Sequence, residues 1–494
     1  MLYTSTRNNK IEVNCAQAIV QGLSPEGGLF LPRNIPKVYL MELGTLAKLD
    51  YIYRAEYILS KFLTSVGGWE RDEILNCARA AYTNTFRDKA IAPVKKLDDN
   101  THVLELFHGP TCAFKDLALQ ILPHLLTGAA KKCMPGRQLA ILVATSGDTG
   151  KAALEGFCDV EGTRIVVFYP EQGVSPMQKR QMITQRGKNV QVVPVRGNFD
   201  DTQNGVKAIF ADKGYMTRAA LRGYEFTSAN SINWGRLVPQ IVYYFSAYCD
   251  LMNEGKIVQG EKINFVVPTG NFGNILAGWY AKQMGLPIKK LICASNANRV
   301  LADFFETGKY DKDRPFHCTS SPSMDILISS NLERLLYLAA GQDSKQTAAW
   351  MQELGKKGSY QVPEELRRAL RREFFGASCD EIQCGMAIAK AWEELDYLAD
   401  PHTAVALHVL DEYRAKTGDN TRSVVVATAS PYKFTNSVLD ALGELVPEDE
   451  LEALAWLEQK SGVEIPAPLR DVHKRRERFH RVCNKEEMKH WVKI

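Results

Sequence analysis

Lys115 follows Cys112, Ala113 and Phe114 in a segment opened by His108-Gly109-Pro110. An amine among apolar neighbours loses its charge more readily and becomes a nucleophile or base. A surface lysine at a helix start has the same local sequence, so this segment alone decides nothing. Two loops suit an anion. Thr145-Ser146-Gly147-Asp148-Thr149-Gly150 and Gly270-Asn271-Phe272-Gly273-Asn274 each follow an apolar run and precede a helical stretch. Glycines and hydroxyls there leave backbone N–H groups facing outward at a helix start. The first loop is no Walker A motif, because Ala152 stands where Ser or Thr is required after Lys151. The second is the better phosphate cradle, although it lacks the GxGxxG dinucleotide fingerprint. Polar clusters at Ser228 to Arg236, Ala427 to Phe434, Ser175 to Met182 and Asp400 to Ala404 complete the candidates. Each is also an ordinary turn composition.

The elements that must hold these loops alternate. Leu139 to Ala144, Arg164 to Tyr169, Val190 to Val195, Ile263 to Val267, Lys290 to Ala294 and Ser423 to Ala427 read as near-continuous apolar strands. Most are followed by a Gly, Ser, Thr or Asn cluster and then a helical stretch. Such a pattern predicts an α/β fold with parallel sheets covered on both faces. Ligands in such sheets bind beyond the carboxyl ends of the strands, which is where the candidate loops fall. Before this core, Tyr51 to Phe62 and Arg71 to Phe86 have helical spacing. Pro363 to Phe375 and Glu448 to Lys460 read as added helices.

A chain of 494 residues is too long for one core. With 45% apolar and 24% charged residues it has the composition of an ordinary globular protein. The formal net charge is +4, concentrated at the end: Arg470 to Ile494 carries nine Lys/Arg against four Asp/Glu. The near-neutral remainder argues against a nucleic-acid partner, and the basic end reads as a solvated helix end. No apolar run reaches a membrane span, and Met1 to Glu12 lacks the apolar stretch of a secretory signal. Eleven scattered cysteines read as reduced thiols of a cytoplasmic protein. No second pair joins Cys379 and Cys384 to make a zinc set, so no metal is expected.

Together these segments resemble one family, the long form of threonine synthase found in bacteria and fungi. The resemblance rests on Tyr3-Thr4-Ser5-Thr6-Arg7, Pro25 to Phe30, Phe114-Lys115-Asp116, Thr145 to Gly150, Asn230 to Arg236, Pro268 to Asn274, Asp400 to Ala404 and Ala427 to Phe434, in that order. It covers about residues 1 to 440. It implies the pyridoxal-phosphate fold type II: two parallel-sheet α/β domains with the cofactor between them, an N-terminal region and a helical C-terminal extension. The expected divisions are 1–95, a catalytic core at 96–440 with its smaller subdomain near 110–230, and a basic extension at 441–494.

The resemblance also implies roles. Lys115 stands at the family's Schiff-base position. Gly270, Asn271, Phe272, Gly273 and Asn274 stand where the family holds the cofactor phosphate. Thr428 stands where a hydroxyl meets the pyridine nitrogen, a weaker partner than a carboxylate and hence a milder electron sink. Thr145, Ser146, Asp148 and Thr149 resemble the loop for the substrate carboxylate. Ser231, Asn233, Arg236 and Lys433 are the candidates for the substrate phosphate, Arg236 first because its fork suits phosphate. Lys151 departs from the small residue many relatives carry. The implied reaction turns O-phospho-L-homoserine and water into L-threonine and phosphate, in a monomer or homodimer. A phospho-lyase releasing a 2-oxo acid from O-phosphohomoserine or O-phosphothreonine is the alternative.

Overall fold

The computed structural model describes residues 1–145, 147–171 and 173–492. Three short strands, β1 (Tyr3–Ser5), β2 (Asn8–Val13) and β3 (Phe30–Pro32), form an antiparallel sheet at the N-terminus. The chain then lays down β4 (Val94–Lys96) and β5 (Thr101–Glu105) and leaves to build a small lobe. That lobe carries β6 (Gln138–Ala144), β7 (Thr163–Pro170), β8 (Val190–Val195) and β9 (Tyr224–Thr227), all parallel, in the order β8-β7-β6-β9. The helix Trp234–Asn253 leads back. β10 (Ile263–Pro268) and β11 (Ile288–Ser295) follow, then the antiparallel pair β12 (Lys309–Asp311) and β13 (Ser359–Gln361), and finally β14 (Phe374–Ser378) and β15 (Ser423–Ala427). The large sheet has the order β14-β11-β10-β15-β5-β4, parallel except for β4 at the edge.

This order brings β10, β15 and β5 side by side although they are distant in sequence. Their carboxyl ends deliver the loops at 268–274, 428–434 and 106–115 to one place. Strand order reverses there, which is where a parallel sheet leaves a crevice. The expected strands of both lobes are present within two residues at each end. Two expected helices stop earlier than their spacing predicts. Pro363 to Phe375 is helical only over Glu364–Glu373, because the buried Phe374 pairs with Leu291 and opens β14. Arg71 to Phe86 ends at Tyr82, where the extended Thr83 and the left-handed Asn84 (φ +61°) turn the chain.

The N-terminal region shares its core with the large lobe. Trp234 is fully buried and meets Tyr3, Phe62 and Tyr280 edge-on at 5.7, 5.6 and 5.3 Å between centroids. Among the described residues no helix is long and apolar enough to cross a membrane.

The C-terminal extension corrects the reading of its basic residues as a solvated helix end. The helix Glu450–Ser461 buries Ala453, Leu454 and Leu457 against the large lobe. Beyond Asp471 the chain crosses to the small lobe. Arg478 donates to the carbonyls of Gln185 at 2.6 Å and Gly187 at 2.9 Å, and Cys483 pairs with Val195 beside β8. Lys489 and Lys485 meet Asp212 and Asp201 at 2.6 and 3.3 Å. Met488 is fully buried against Gly205, where a Cβ would overlap its sulfur. Met488→Ala should therefore destabilise the protein by about 2–4 kcal/mol, read by denaturant titration. An unchanged midpoint would mean that this contact does not persist in solution.

Candidate active site

Lys115 sits on a segment stitched to the loop after β15. The Phe114 N–H donates to the Thr428 carbonyl at 2.8 Å, the Ser430 N–H donates to the Cys112 carbonyl at 3.0 Å, and Ala113 bridges Ala429. The buried Asp116 carboxylate accepts from the N–H and hydroxyl of Thr111 at 2.8 and 2.7 Å, which closes the turn before the lysine. Gly109 is required there, because a Cβ would fall 2.5 Å from Asp116. Burial pushes the Lys115 ammonium down to about 8, with Arg236 and Lys433 adding to it and Asp148 opposing. A primary amine that is partly neutral near pH 7 can act as nucleophile or base.

The loop after β10 faces it. Phe272 holds a left-handed backbone (φ +62°), unusual for a bulky residue, and caps the helix Gly273–Met284. Its ring packs on Phe305 and Phe374, so the strained turn is held by burial. The first N–H groups of that helix have no intrahelical acceptor, and Gly273 and Asn274 line the cleft at the positive end of the dipole. A Cβ on Gly273 would make ordinary contacts with the Asn331, Ser231 and Gln240 side chains at 3.5, 3.6 and 4.0 Å, and Ser231 and Gln240 line the cleft with it. Asn274 accepts from the hydroxyls of Tyr243 and Tyr244 at 2.6 and 2.7 Å, which leaves its buried Nδ2 without a partner.

Arg236 supplies the strongest electrostatic signal. It is buried, lines the cleft, and forms no ion pair among the described residues. One Nη donates to the Ala229 carbonyl at 2.6 Å, while Nε has no partner. Burial pushes its guanidinium down to about 10, so it stays charged at neutral pH. A buried cation without a counter-ion is costly unless an anion arrives.

Lys115, Asp148, Thr149, Ser231, Arg236, Gly270 to Asn274 and Thr428 all line one cleft. Three expected residues stand differently. Asn233 caps the helix Trp234–Asn253, accepting from the Gly235 N–H and donating to the Ile19 and Ser228 carbonyls, so no polar atom is left for a ligand. Thr145 braces the loop from behind, its hydroxyl accepting from the N–H groups of Gly147 and Gly150. Lys433 is fully buried and meets Asp148 at 2.7 Å, donating also to the Thr111 carbonyl. Ser146 lies outside the described residues. Lys151, whose direction the sequence left open, turns away to Glu155 and Gln185.

The Asp148 carboxylate is therefore countered. Burial opposes its ionisation, but Lys433 and Lys115 outweigh this and hold it below the usual carboxylate range. Gln178 adds a donor at 2.9 Å. The cleft also holds Gln240, Ser323, Met324 and His402. Ser323 accepts from Lys115 at 3.4 Å. It follows the short strand β12, which is no apolar run, so the strand-and-loop rule had no hold on it. Gln240 lies one helical turn beyond Arg236, a spacing that pointed to it in hindsight.

Comparison with known proteins gives the family of the chain. The family described as pyridoxal-phosphate dependent enzyme matches residues 89–429. Those described as threonine synthase N terminus and threonine synthase, C-terminal match 2–82 and 403–492. The chain is 37% identical to threonine synthase of Saccharomyces cerevisiae, over 93% of this chain and 94% of that one. It is 41% identical to the human threonine synthase-like 1 protein over 86% of this chain, and spans 58% of that protein's length. The crystal structure of pyridoxal-phosphate-bound threonine synthase from Brucella melitensis superposes with a TM-score of 0.87 at 37% identity, covering 100% of this chain and 98% of that one. The yeast threonine synthase structure gives 0.88 at 33% identity, covering 99% and 98%.

Proposed function

Because the chain belongs to the threonine synthase family of pyridoxal-phosphate-dependent enzymes, we propose that it converts O-phospho-L-homoserine and water into L-threonine and phosphate. The observation that carries this reading is Arg236, a buried cation without a counter-ion among the described residues, lining one cleft together with a second anion cradle. One cradle fits the cofactor phosphate, and the other fits a substrate that brings a phosphate of its own.

The residues present fit pyridoxal phosphate. The Gly270 to Asn274 turn lines the cleft at a helix start, and the Asn274 amide holds an uncommitted donor there. In this reading the Gly270 to Asn274 loop takes the cofactor phosphate, Lys115 holds the carbonyl carbon and Thr428 faces the pyridine nitrogen. Bound there, pyridoxal phosphate supplies the electron sink for charge developing at the substrate α-carbon. Lys115 removes the α-proton and moves protons at the β- and γ-carbons, as a buried amine lowered to about 8 can. Thr149 and the backbone around it receive the substrate carboxylate. Asp148 does not repel that carboxylate, because Lys433 neutralises it. Arg236 and Ser231 hold the substrate phosphate and stabilise charge as the bond to the γ-carbon breaks. Phe114, Phe272 and Met324 line the cleft and limit water within it. The deciding experiment is to supply O-phosphohomoserine and identify the organic product. Threonine upholds the reading; 2-oxobutyrate as the main product replaces it with a phospho-lyase.

The cradle makes a separate prediction. Gly273→Ala adds a methyl group that the protein accommodates but that a bound phosphate meets. Cofactor affinity should fall by roughly ten- to a hundredfold, the worth of one charged hydrogen bond. The melting temperature of the apoprotein should not move. Unchanged affinity would take the phosphate out of this loop.

A further inference from the structure

We propose that Arg334 is a positioning residue that sets the distance between the two phosphate-binding segments of the cleft; this rests on the reading proposed above. Arg334 is fully buried in the first turn of the helix Leu332–Ala339. It does not line the cleft, and it forms no ion pair among the described residues. Burial pushes its guanidinium down to about 10, so it stays charged at neutral pH. A buried cation at the start of a helix is doubly unfavourable, since desolvation and the dipole both oppose it. Its place is accounted for by the groups it holds.

The three nitrogens reach three separate segments. Nε donates to the Phe30 carbonyl at 2.9 Å, one Nη to the side-chain oxygen of Asn331, and the other Nη to the Ile232 carbonyl at 2.5 Å. A guanidinium only donates, so it fixes which end of the Asn331 amide faces it. The amide nitrogen is thereby turned to the Asn271 carbonyl, which it meets at 3.0 Å, and the Asn331 backbone N–H donates to the same oxygen at 3.1 Å. That carbonyl belongs to the peptide before Phe272, so the pair holds the left-handed turn that opens the cofactor-phosphate cradle. Ile232 follows Ser231, which lines the cleft, and precedes Asn233, the cap of the helix that carries Arg236. One side chain therefore ties the cradle to the segment read as the substrate-phosphate site.

The third contact gives the N-terminal region a task. Tyr3 to Arg7 and Pro25 to Phe30 do not line the cleft. Both meet the start of the Arg334 helix instead. Phe30 accepts from Arg334, while the Thr6 hydroxyl donates to Glu333 at 2.5 Å and Arg7 reaches both oxygens of Glu333 at 2.8 Å. The N-terminal sheet fixes the brace from behind. In the proposed substrate the phosphate is joined covalently to the carbon that must sit at the cofactor. The distance between the two anion sites therefore decides whether the reacting bond is aligned. Lysine at this position would keep the charge but lose the three nitrogens set in one plane.

Arg334→Lys and Asn331→Ala test the brace. The affinities of the apoprotein for pyridoxal 5'-phosphate and for pyridoxal are compared. Both offer the same carbonyl carbon to Lys115, so their ratio reads the cradle alone. In Arg334→Lys the ratio should fall about tenfold, and inhibition of the holoenzyme by inorganic phosphate should weaken to a similar degree. Turnover with O-phosphohomoserine should fall by about ten- to a hundredfold, the effect of a displacement of about 1 Å. Asn331→Ala leaves Arg334 on its two backbone carbonyls and loosens the cradle alone. Its ratio should fall by roughly two- to tenfold, with phosphate inhibition as in the wild type. A general loosening of the fold would lower both affinities together and leave the ratio unmoved. An unmoved ratio in Asn331→Ala, or wild-type phosphate inhibition in Arg334→Lys, overturns the inference alone. Wild-type holoenzyme that turns O-phosphohomoserine mainly into 2-oxobutyrate overturns the proposed reaction, and that failure is visible before any variant is made.

Discussion

Lys115→Ala is expected to abolish turnover, by more than about 10³-fold, since one amine acts as both cofactor anchor and base. The fold should survive the change. Asp148 keeps Lys433 at 2.7 Å, so no buried carboxylate is left without its cation. The Lys115 segment is fixed by backbone hydrogen bonds to Thr428 and Ser430 rather than by the ammonium. Borohydride reduction of the wild-type holoenzyme should fix the cofactor to Lys115, and peptide mapping reads this directly. Label on another lysine would displace the assignment. The pH dependence adds a signed test. Only the neutral amine attacks a carbonyl, and burial sets the Lys115 ammonium at about 8. Covalent capture of pyridoxal phosphate by the apoprotein should therefore slow about tenfold for each pH unit below 8 and level off above it. A rate that keeps rising to pH 10 would mean an amine in an ordinary aqueous setting.

Arg236→Lys should lower turnover with O-phosphohomoserine by about ten- to a thousandfold, the span of one lost transition-state donor. Lysine keeps the charge, but it offers a point charge in place of a planar fork. One donor is already committed to the Ala229 carbonyl, so the free Nε is what distinguishes arginine here. The cofactor absorption band should be unchanged and the product should remain mainly threonine. Arg236→Met carries the opposite sign for stability. Removing a buried cation that lacks a counter-ion should raise the melting temperature of the apoprotein while activity is lost. Near-normal turnover in Arg236→Lys would remove this residue from the phosphate site. A lower melting temperature in Arg236→Met would mean that the guanidinium supports the fold.

The strands were legible because their apolar runs are continuous, as parallel strands buried on both faces require. β5 was missed: Thr101-His102-Val103-Leu104-Glu105 is short and places a histidine and a glutamate in a buried strand. The anion loops were legible for the same reason as the strands, since each follows one. What sequence could not separate was a side chain aimed at the cleft from one turned into the protein. Asn233 and Ser231 stand two residues apart in one polar cluster, yet the first caps a helix and the second lines the cleft. Lys433 and Arg236 were both read as phosphate ligands. Only the structure shows that Asp148 already occupies the lysine.

The contact between Cys483 and β8 has a consequence in time. β8 is an edge strand, made by residue 195, and the segment that covers it comes near residue 483. At roughly 5–20 residues per second of synthesis, that edge waits about 15–60 s for its cover. An uncovered edge of Val192, Val193 and Val195 is a template for pairing with another nascent chain. The small lobe should thus be most open to aggregation and proteolysis until the segment around residue 483 has been made and has left the ribosome. Stalled chains ending before residue 470 are expected to be cut within the small lobe by a protease that leaves the large lobe intact.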